Sequence, residues 1–312
     1  MFDTDILLCP ICCRVGVKLS YNNELLQCEH CSAVFPVIDN VPRLLNHENM
    51  QKFISSYKSY YDKLSNEEQS LLPLPLVARQ QNKLFIGLGG QDYHQTRIKN
   101  PVIKYSLSRR IEAVSEFIGE YLLKQQRSND SVKLLELGCA DGLLGKALVD
   151  NFDFKNIVGV DLQDDQLKHN QFLAVQGDCQ NLPFKDNSFD ILVGAALVEH
   201  IPSTSDFLKE CYRVLRPEGL LVLTCPVPFY DWVCTKIGYF KNANHLHRFS
   251  IAQLKILMQQ QGFVDNKGKK FMLSPFKNTI FEAIEKSFLS GALSFFMLNQ
   301  VVCGQKPFLE EK

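Results

Sequence analysis

Beyond residue 100 the apolar positions of the chain alternate between two periods. Short, largely apolar runs at 133–137, 157–161, 172–176, 189–193 and 220–224 read as strands covered on both faces. Between them apolar side chains recur every three or four residues, as in Leu143, Leu144, Ala147 and Leu148, which is the period of a helix with one buried stripe. A helix over 102–126 precedes the series, with Ile103, Leu107, Ile111, Val114, Phe117, Ile118 and Leu122 on one face. Ser203 or Ser205 caps a helix running to Leu215 that Pro217, Glu218 and Gly219 should end. Ser250 caps another over 251–261, stopped by Gly262. Two last strands fall near 263–273 and 297–304, with a helix inserted between them. Strand and helix in alternation predict an α/β fold, a doubly wound, mostly parallel sheet of seven strands over residues 101–312.

The N-terminal region has a different grammar. Cys9 and Cys12, then Cys28 and Cys31, give C-x2-C-x15-C-x2-C, the spacing at which four thiolates converge on one zinc ion. So short a segment has little apolar content of its own, and metal binding would supply much of its stability. Four buried structural thiols are the plainer alternative. Residues 1–46 are therefore expected to be a small zinc-ribbon domain. Residues 47–100 are polar and mixed, with Phe53, Tyr57, Tyr60, Tyr61 and Leu64 at helical spacing, and are expected to be a helical linker or lid.

Composition narrows the function without naming it. The chain has 312 residues, 46% of them apolar, and 34 basic against 34 acidic side chains. That balance disfavours a broad nucleic-acid partner. Asp3 and Asp5 in an N-terminus without a long apolar stretch do not read as a signal peptide, so the 11 cysteines are expected in a reducing cytoplasm. Residues 287–305 contain no charged residue; a membrane-surface contact and a helix followed by a last strand both satisfy that pattern.

The candidate chemistry sits at 133–145, where a strand meets a glycine loop and a helix begins. Starting from Gly138, the dinucleotide fingerprint requires glycine at positions held here by Ala140 and Leu143, so it fails. Glu136 and Asp141 flank the loop, and carboxylates there would repel a pyrophosphate. S-Adenosylmethionine has no phosphate and carries a sulfonium and an ammonium. Asp161 ends the next strand about 20 residues on, where an acid can bond both ribose hydroxyls.

Taken together, residues 134–226 resemble the class I S-adenosylmethionine-dependent methyltransferases, particularly the branch that includes ubiquinone and menaquinone biosynthesis enzymes, with a Rossmann-like sheet. Cys9, Cys12, Cys28 and Cys31, followed by the stretch from Phe35 to Leu45, resemble the small zinc-ribbon activator of tRNA, rRNA and protein methyltransferases, in which the ribbon is structural or a docking surface. The first resemblance implies that Gly138, Cys139, Ala140 and Gly142 wrap the methionine part of the donor, with Glu136 near its ammonium. It further implies that Asp161 holds the ribose, Leu162 lines the adenine, Asp178 and the Cys179 N–H bond the adenine edge, and Ala195 leaves room at the sulfonium. Ala140 departs from the family's G-x-G-x-G loop. His200, His245 and His247 are the candidate bases, His200 having packing as its alternative, and His245 and His247 are expected to face one side. A second metal has no identifiable third ligand. Cys225 reads as a buried strand-end thiol rather than a nucleophile, because no Pro-Cys follows the fourth strand. The acceptor is expected to be small or lipid-like, in a pocket formed by 229–232 and 287–298. RNA modification through the ribbon, and a non-catalytic scaffold recruiting a protein partner, are the competing readings.

Overall fold

The computed structural model describes residues 4–22, 25–45, 93–126, 128–162, 164–236, 245–287 and 296–308. The aromatic stripe at 53–64 and, within the uncharged stretch, residues 288–295 lie outside them.

The N-terminal unit is an antiparallel sheet of β1 (Leu19–Asn22), β2 (Leu25–Cys28), β3 (Val34–Ile38) and β4 (Val41–Pro42), paired in sequence order. Two helices follow further along the chain, α1 (Tyr93–Lys99) and α2 (Pro101–Gln125). Asn100 caps α2, its side chain accepting from the N–H groups of Val102 and Ile103, and Pro101 occupies the first turn, where its missing N–H costs nothing.

The main sheet comprises β5 (Lys133–Leu137), β6 (Asn156–Asp161), β7 (Leu173–Gln176), β8 (Phe189–Ala195), β9 (Leu215–Pro226), β10 (Val264–Phe271) and β11 (Asn299–Gln305). Their order is β10-β11-β9-β8-β5-β6-β7. The pairings among β5 to β9 are parallel, while β11 runs antiparallel to both of its neighbours, β9 and β10. This is the mostly parallel seven-stranded Rossmann-like sheet expected. The helices between its strands are α3 (Leu143–Phe152), α4 (Asp164–Leu167), α5 (Thr204–Val214), α6 (Pro228–Lys236), α7 (Ile251–Gln260) and α8 (Thr279–Ser287). Because β6 and β7 lie on one side of β5 and β8 and β9 on the other, the connections diverge between β5 and β8. A crevice opens at such a switch point, outside the carboxyl ends of the strands.

Two boundaries differ from expectation. Pro217, Glu218 and Gly219 do not end α5; strand β9 starts at Leu215 and absorbs them as an irregularity. Phe189 pairs with Leu215 and Ile191 with Leu220, so 216–219 are extruded from the ladder. Glu218 takes a left-handed φ of 65° and donates its N–H to Lys306 O at 2.8 Å. The uncharged stretch ends as β11, buried between β10 and β9 with Gln300 and Val301 wholly inside. Among the described residues no helix is long and apolar enough to cross a membrane.

The N-terminal sheet rests on the edge of the main one. Leu44 N donates to Gln176 O at 2.9 Å, Leu8 N to Pro183 O at 2.9 Å, and Lys185 N to Ile6 O at 2.9 Å. Leu7, Leu19, Leu26 and Phe35 belong to the same buried cluster as Val175, Phe184 and Phe189. The small unit thus covers the edge at β7 and shares its core.

Candidate active site

The loop after β5 is built from left-handed residues, Gly138 at φ 66°, Ala140 at 46° and Gly142 at 73°. Glycine is required at its ends. A Cβ on Gly138 would stand 2.8 Å from Leu197 Cδ1, and one on Gly142 would stand 2.2 Å from Asn170 Oδ1. Ala140, the departure from an all-glycine loop, is held from both sides: its N–H donates to Asp161 Oδ2 at 2.8 Å, and its carbonyl accepts from Asn170 Nδ2 at 2.8 Å. These bonds offset the cost of about 1–2 kcal/mol that a left-handed alanine carries.

Charge around the loop is more nearly neutralised than the sequence suggests. Glu136 is 4% exposed and accepts from Gly145 N at 2.9 Å. Burial pushes its carboxyl up to about 8, against the opposing pull of Arg97 and that N–H. Asp141 is also buried, ion-paired with Arg97 and bonded to His94 Nδ1 at 3.0 Å. Both partners come from α1, which lies across the loop; His94 also stacks on His169 at 4.4 Å between ring centroids.

At the ends of the neighbouring strands, Gly138, Asp161, Leu162, Asp178, Ala195 and Leu197 are half-buried, while Cys139, Ala140 and Cys179 are buried. Asp178 accepts from Gln180 N at 2.8 Å and closes a turn; burial raises its pKa. A turn beyond β8 carries Glu199 and His200. The His200 ring meets His245 edge-on at 4.9 Å, and His245 Nδ1 bonds the buried Asp231 of α6. Arg248 Nε is 2.5 Å from the other Asp231 oxygen. Glu199 is buried beside them, which pushes its carboxyl up to about 7 against the pull of His245.

In the N-terminal unit the four thiols converge. Cys9 and Cys31 sulfurs are 3.7 Å apart, as are those of Cys12 and Cys28, and all four lie within 4.8 Å of one another. A tetrahedral ion with sulfur at about 2.3 Å needs edges of about 3.8 Å. Burial drives the Cys9 thiol up to about 12. At Cys28 the effect of burial is outweighed by the backbone at Cys31 and His30, which brings its thiol down to about 7.

Residues 135–223 match the methyltransferase domain family. That stretch, from β5 into β9, has the Rossmann-like methyltransferase fold. The chain is 27% identical over 182 residues to sterol 24-C-methyltransferase of Aspergillus fumigatus, covering 54% of this chain and 45% of that protein. It is 35% identical over 113 residues to fatty-acid O-methyltransferase of Mycolicibacterium smegmatis, covering 34% and 41%. The chain thus spans less than half the length of these curated relatives. In fold it is similar to an S-adenosylmethionine-dependent methyltransferase of Thermotoga maritima, with a TM-score of 0.50, 18% identity, and coverage of 73% of this chain and 97% of that one.

The geometry of the crevice corrects parts of the sequence reading. Asp141 is not an open acid facing the donor, because α1 pairs it, and Glu136 is sealed under the loop against α3. Electrostatic exclusion of a pyrophosphate therefore does not rest on these two residues. The side chains of Cys139 and Cys179 are buried, which leaves their backbone as the part able to face a ligand. His245 and His247 do not share a side: His247 Nε2 reaches Pro202 O at 3.2 Å, while His245 joins His200 and Asp231. Cys225 is a buried strand-end thiol, contacted by Gln300 Nε2 at 3.2 Å.

Arg97, His94, Asn170, Leu197, Glu199 and Asp231 join the site only in three dimensions. Glu199 and Asp231 carry a legible signal, each an acid inside an otherwise apolar stretch near a residue already singled out. The others act through distant partners that no local pattern reveals.

Proposed function

We propose that the protein transfers a methyl group from S-adenosylmethionine to a lipid-like acceptor, and that a zinc ion held by Cys9, Cys12, Cys28 and Cys31 stabilises the N-terminal unit that packs on the methyltransferase core. The observation that carries the acceptor reading is an aromatic surface at the carboxyl end of β9. Phe229 and Trp232 on α6 are 51% and 50% exposed, with rings stacked at 6.3 Å. Phe296, 59% exposed, lies two residues from Leu298, whose carbonyl accepts from Val227 N at 3.0 Å. Large exposed aromatics grouped beside a crevice suit an apolar ligand or a lipid surface better than a polar one. Curated relatives named for sterols, squalene and fatty acids support the same class.

S-Adenosylmethionine supplies an electrophilic methyl group. In this reading Asp161 holds the ribose, Asp178 and the Cys179 N–H meet the adenine edge, and Gly138 to Gly142 receive the methionine portion under the cover of α1. Ala195 and Ala196 leave space at the end of β8. Catalysis then comes mainly from holding the acceptor in line. His200 and His245, buried on one side by Asp231 and Glu199, stand at the acceptor end, and His247 belongs to the scaffold.

The fit of zinc rests on the tetrahedral sulfur spacing. The ion would be structural, since four thiolates leave no open position.

The deciding experiment supplies methyl-labelled donor to the purified chain with lipid, small-molecule and RNA fractions. Label in the lipid fraction, lost in Asp161→Ala, is expected. Label in RNA alone would replace the lipid reading with a nucleic-acid one.

A further inference from the structure

Glu199, His200 and His245 form a cluster that transfer by proximity alone does not explain. One ligand atom from each lies within 4.8 Å of the others. Glu199 is 2% exposed, and neither of its carboxylate oxygens has a hydrogen-bond partner. A carboxyl group buried in that state is destabilising unless a cation or donor meets it.

The surroundings hold the cluster in shape. Leu246 N and His247 N both donate to the Glu199 carbonyl, at 2.9 and 3.2 Å, and lock the segment carrying His245 against the turn carrying Glu199 and His200. Asp231 engages His245 through Nδ1, which makes Nε2 the nitrogen that would ligate. A carboxylate that orients an imidazole in this way is the usual outer partner of a metal-binding histidine. Two imidazoles and one carboxylate form the donor set of first-row divalent cations with open positions. Arg110 of α2 is within electrostatic reach of Glu199, as are His245 and Asp231, yet Arg110 makes no hydrogen bond to it.

The geometry points to a divalent-cation site formed by Glu199, His200 and His245, separate from the four cysteines and open to an oxygen ligand. Its place follows from the chain path. Leu197, two residues before Glu199, packs against Gly138 of the donor loop, so the cation site adjoins that loop at the crevice. Its use in catalysis rests on the methyltransferase reading above. A hydroxyl acceptor bound there would lose its proton to solvent and be held as the anion. The new O–C bond would form as the methyl's C–S bond breaks, with the thioether as leaving group.

The test is Mn2+ binding to the full chain with its cysteine site loaded with Zn2+, read from the paramagnetic resonance of free Mn2+. Manganese is chosen because thiolates hold it far less well than zinc. One further ion per chain is expected, with affinity weakened about tenfold or more in Glu199→Gln and in His245→Asn, and unchanged in His247→Asn. A readout without substitution uses a second equivalent of Zn2+, which should shift the imidazole nitrogen resonances of His200 and His245 and leave those of His247 in place. Equal Mn2+ binding by wild type and Glu199→Gln, or no binding up to millimolar Mn2+, overturns the site and leaves Arg110 as the group that balances Glu199. Donor binding is measured separately without Mn2+. Loss of donor binding with the metal retained would sink the functional reading and not the site.

Discussion

Ala140 N–H and Asp161 Oδ2 are joined by a hydrogen bond of 2.8 Å, so the carboxylate that ends β6 also holds the loop that ends β5. One residue thereby shapes the crook and faces the crevice. Its two roles are separable. Asp161→Asn can present a carbonyl oxygen to Ala140 and keep the loop while removing the charge; Asp161→Ala loses both. We expect Asp161→Ala to lower stability by about 1 kcal/mol and Asp161→Asn to lower it less, while calorimetry with S-adenosylmethionine shows weakened binding in both. Unchanged donor affinity in Asp161→Ala would remove this residue from the site.

Glycine substitutions should separate the loop from ordinary helix. Gly142→Ala places a methyl group against Asn170 Oδ1 at a left-handed position, and Asn170 is the residue that holds the Ala140 carbonyl. A loss of about 2 kcal/mol or more is expected, from strain and clash together. Gly119, inside α2, has nothing within 4 Å of the place its Cβ would take. Gly119→Ala should stabilise by about 0.5–1 kcal/mol. Denaturant midpoints of the two variants should move in opposite directions.

Glu136 gives stability a pH dependence with a definite sign. Its folded pKa of about 8 lies above the ordinary value of 4.5. Between these limits the folded chain keeps a proton that the unfolded chain has lost, so stability falls as pH rises, with a slope of at most about 1.4 kcal/mol per unit. Below that window both states are protonated, and above it both are ionised. Glu136→Gln, still able to accept from Gly145 N, should flatten the dependence. Urea melts at several pH values test this, and parallel curves for wild type and variant would refute it.

The N-terminal unit should not melt by itself. Removing a thiolate ligand by Cys28→Ser, or the ion by a strong chelator, should lower the melting temperature of the whole chain because Leu7, Leu19 and Phe35 share a cluster with Val175 and Phe184. Amide exchange should rise first at Leu8, Leu44 and Lys185, whose N–H groups cross the seam, while the helices far from it keep their protection. A melting temperature that ignores the chelator would mean that no ion stabilises the unit.

Much of the fold was legible because it depends on local periodicity. The continuous runs of β5 to β9 follow from burial on both faces, the caps at Ser203 and Ser250 follow from orphan N–H groups, and Cys9, Cys12, Cys28 and Cys31 converge because two short turns and one hairpin suffice to bring them together. The irregularity at 216–219 was not legible, since a proline and a glycine there stop a helix and extrude a bulge equally well. The choice was made by the ladder from Ile191 and Leu220 onward and by the bond from Glu218 to Lys306.

From the sequence alone came the order of strands and helices, the glycine crook, the acid closing β6 and the spacing of the thiols, all of which are properties of near neighbours along the chain. Only the tertiary structure decided the electrostatics. Arg97 neutralises Asp141 from 44 positions away, Glu136 disappears beneath α3, and His245 leaves its neighbour His247 to join His200, Glu199 and Asp231. Charge and titration depend on what is brought close through space and on how much water is excluded, and neither is written in the local pattern of residues.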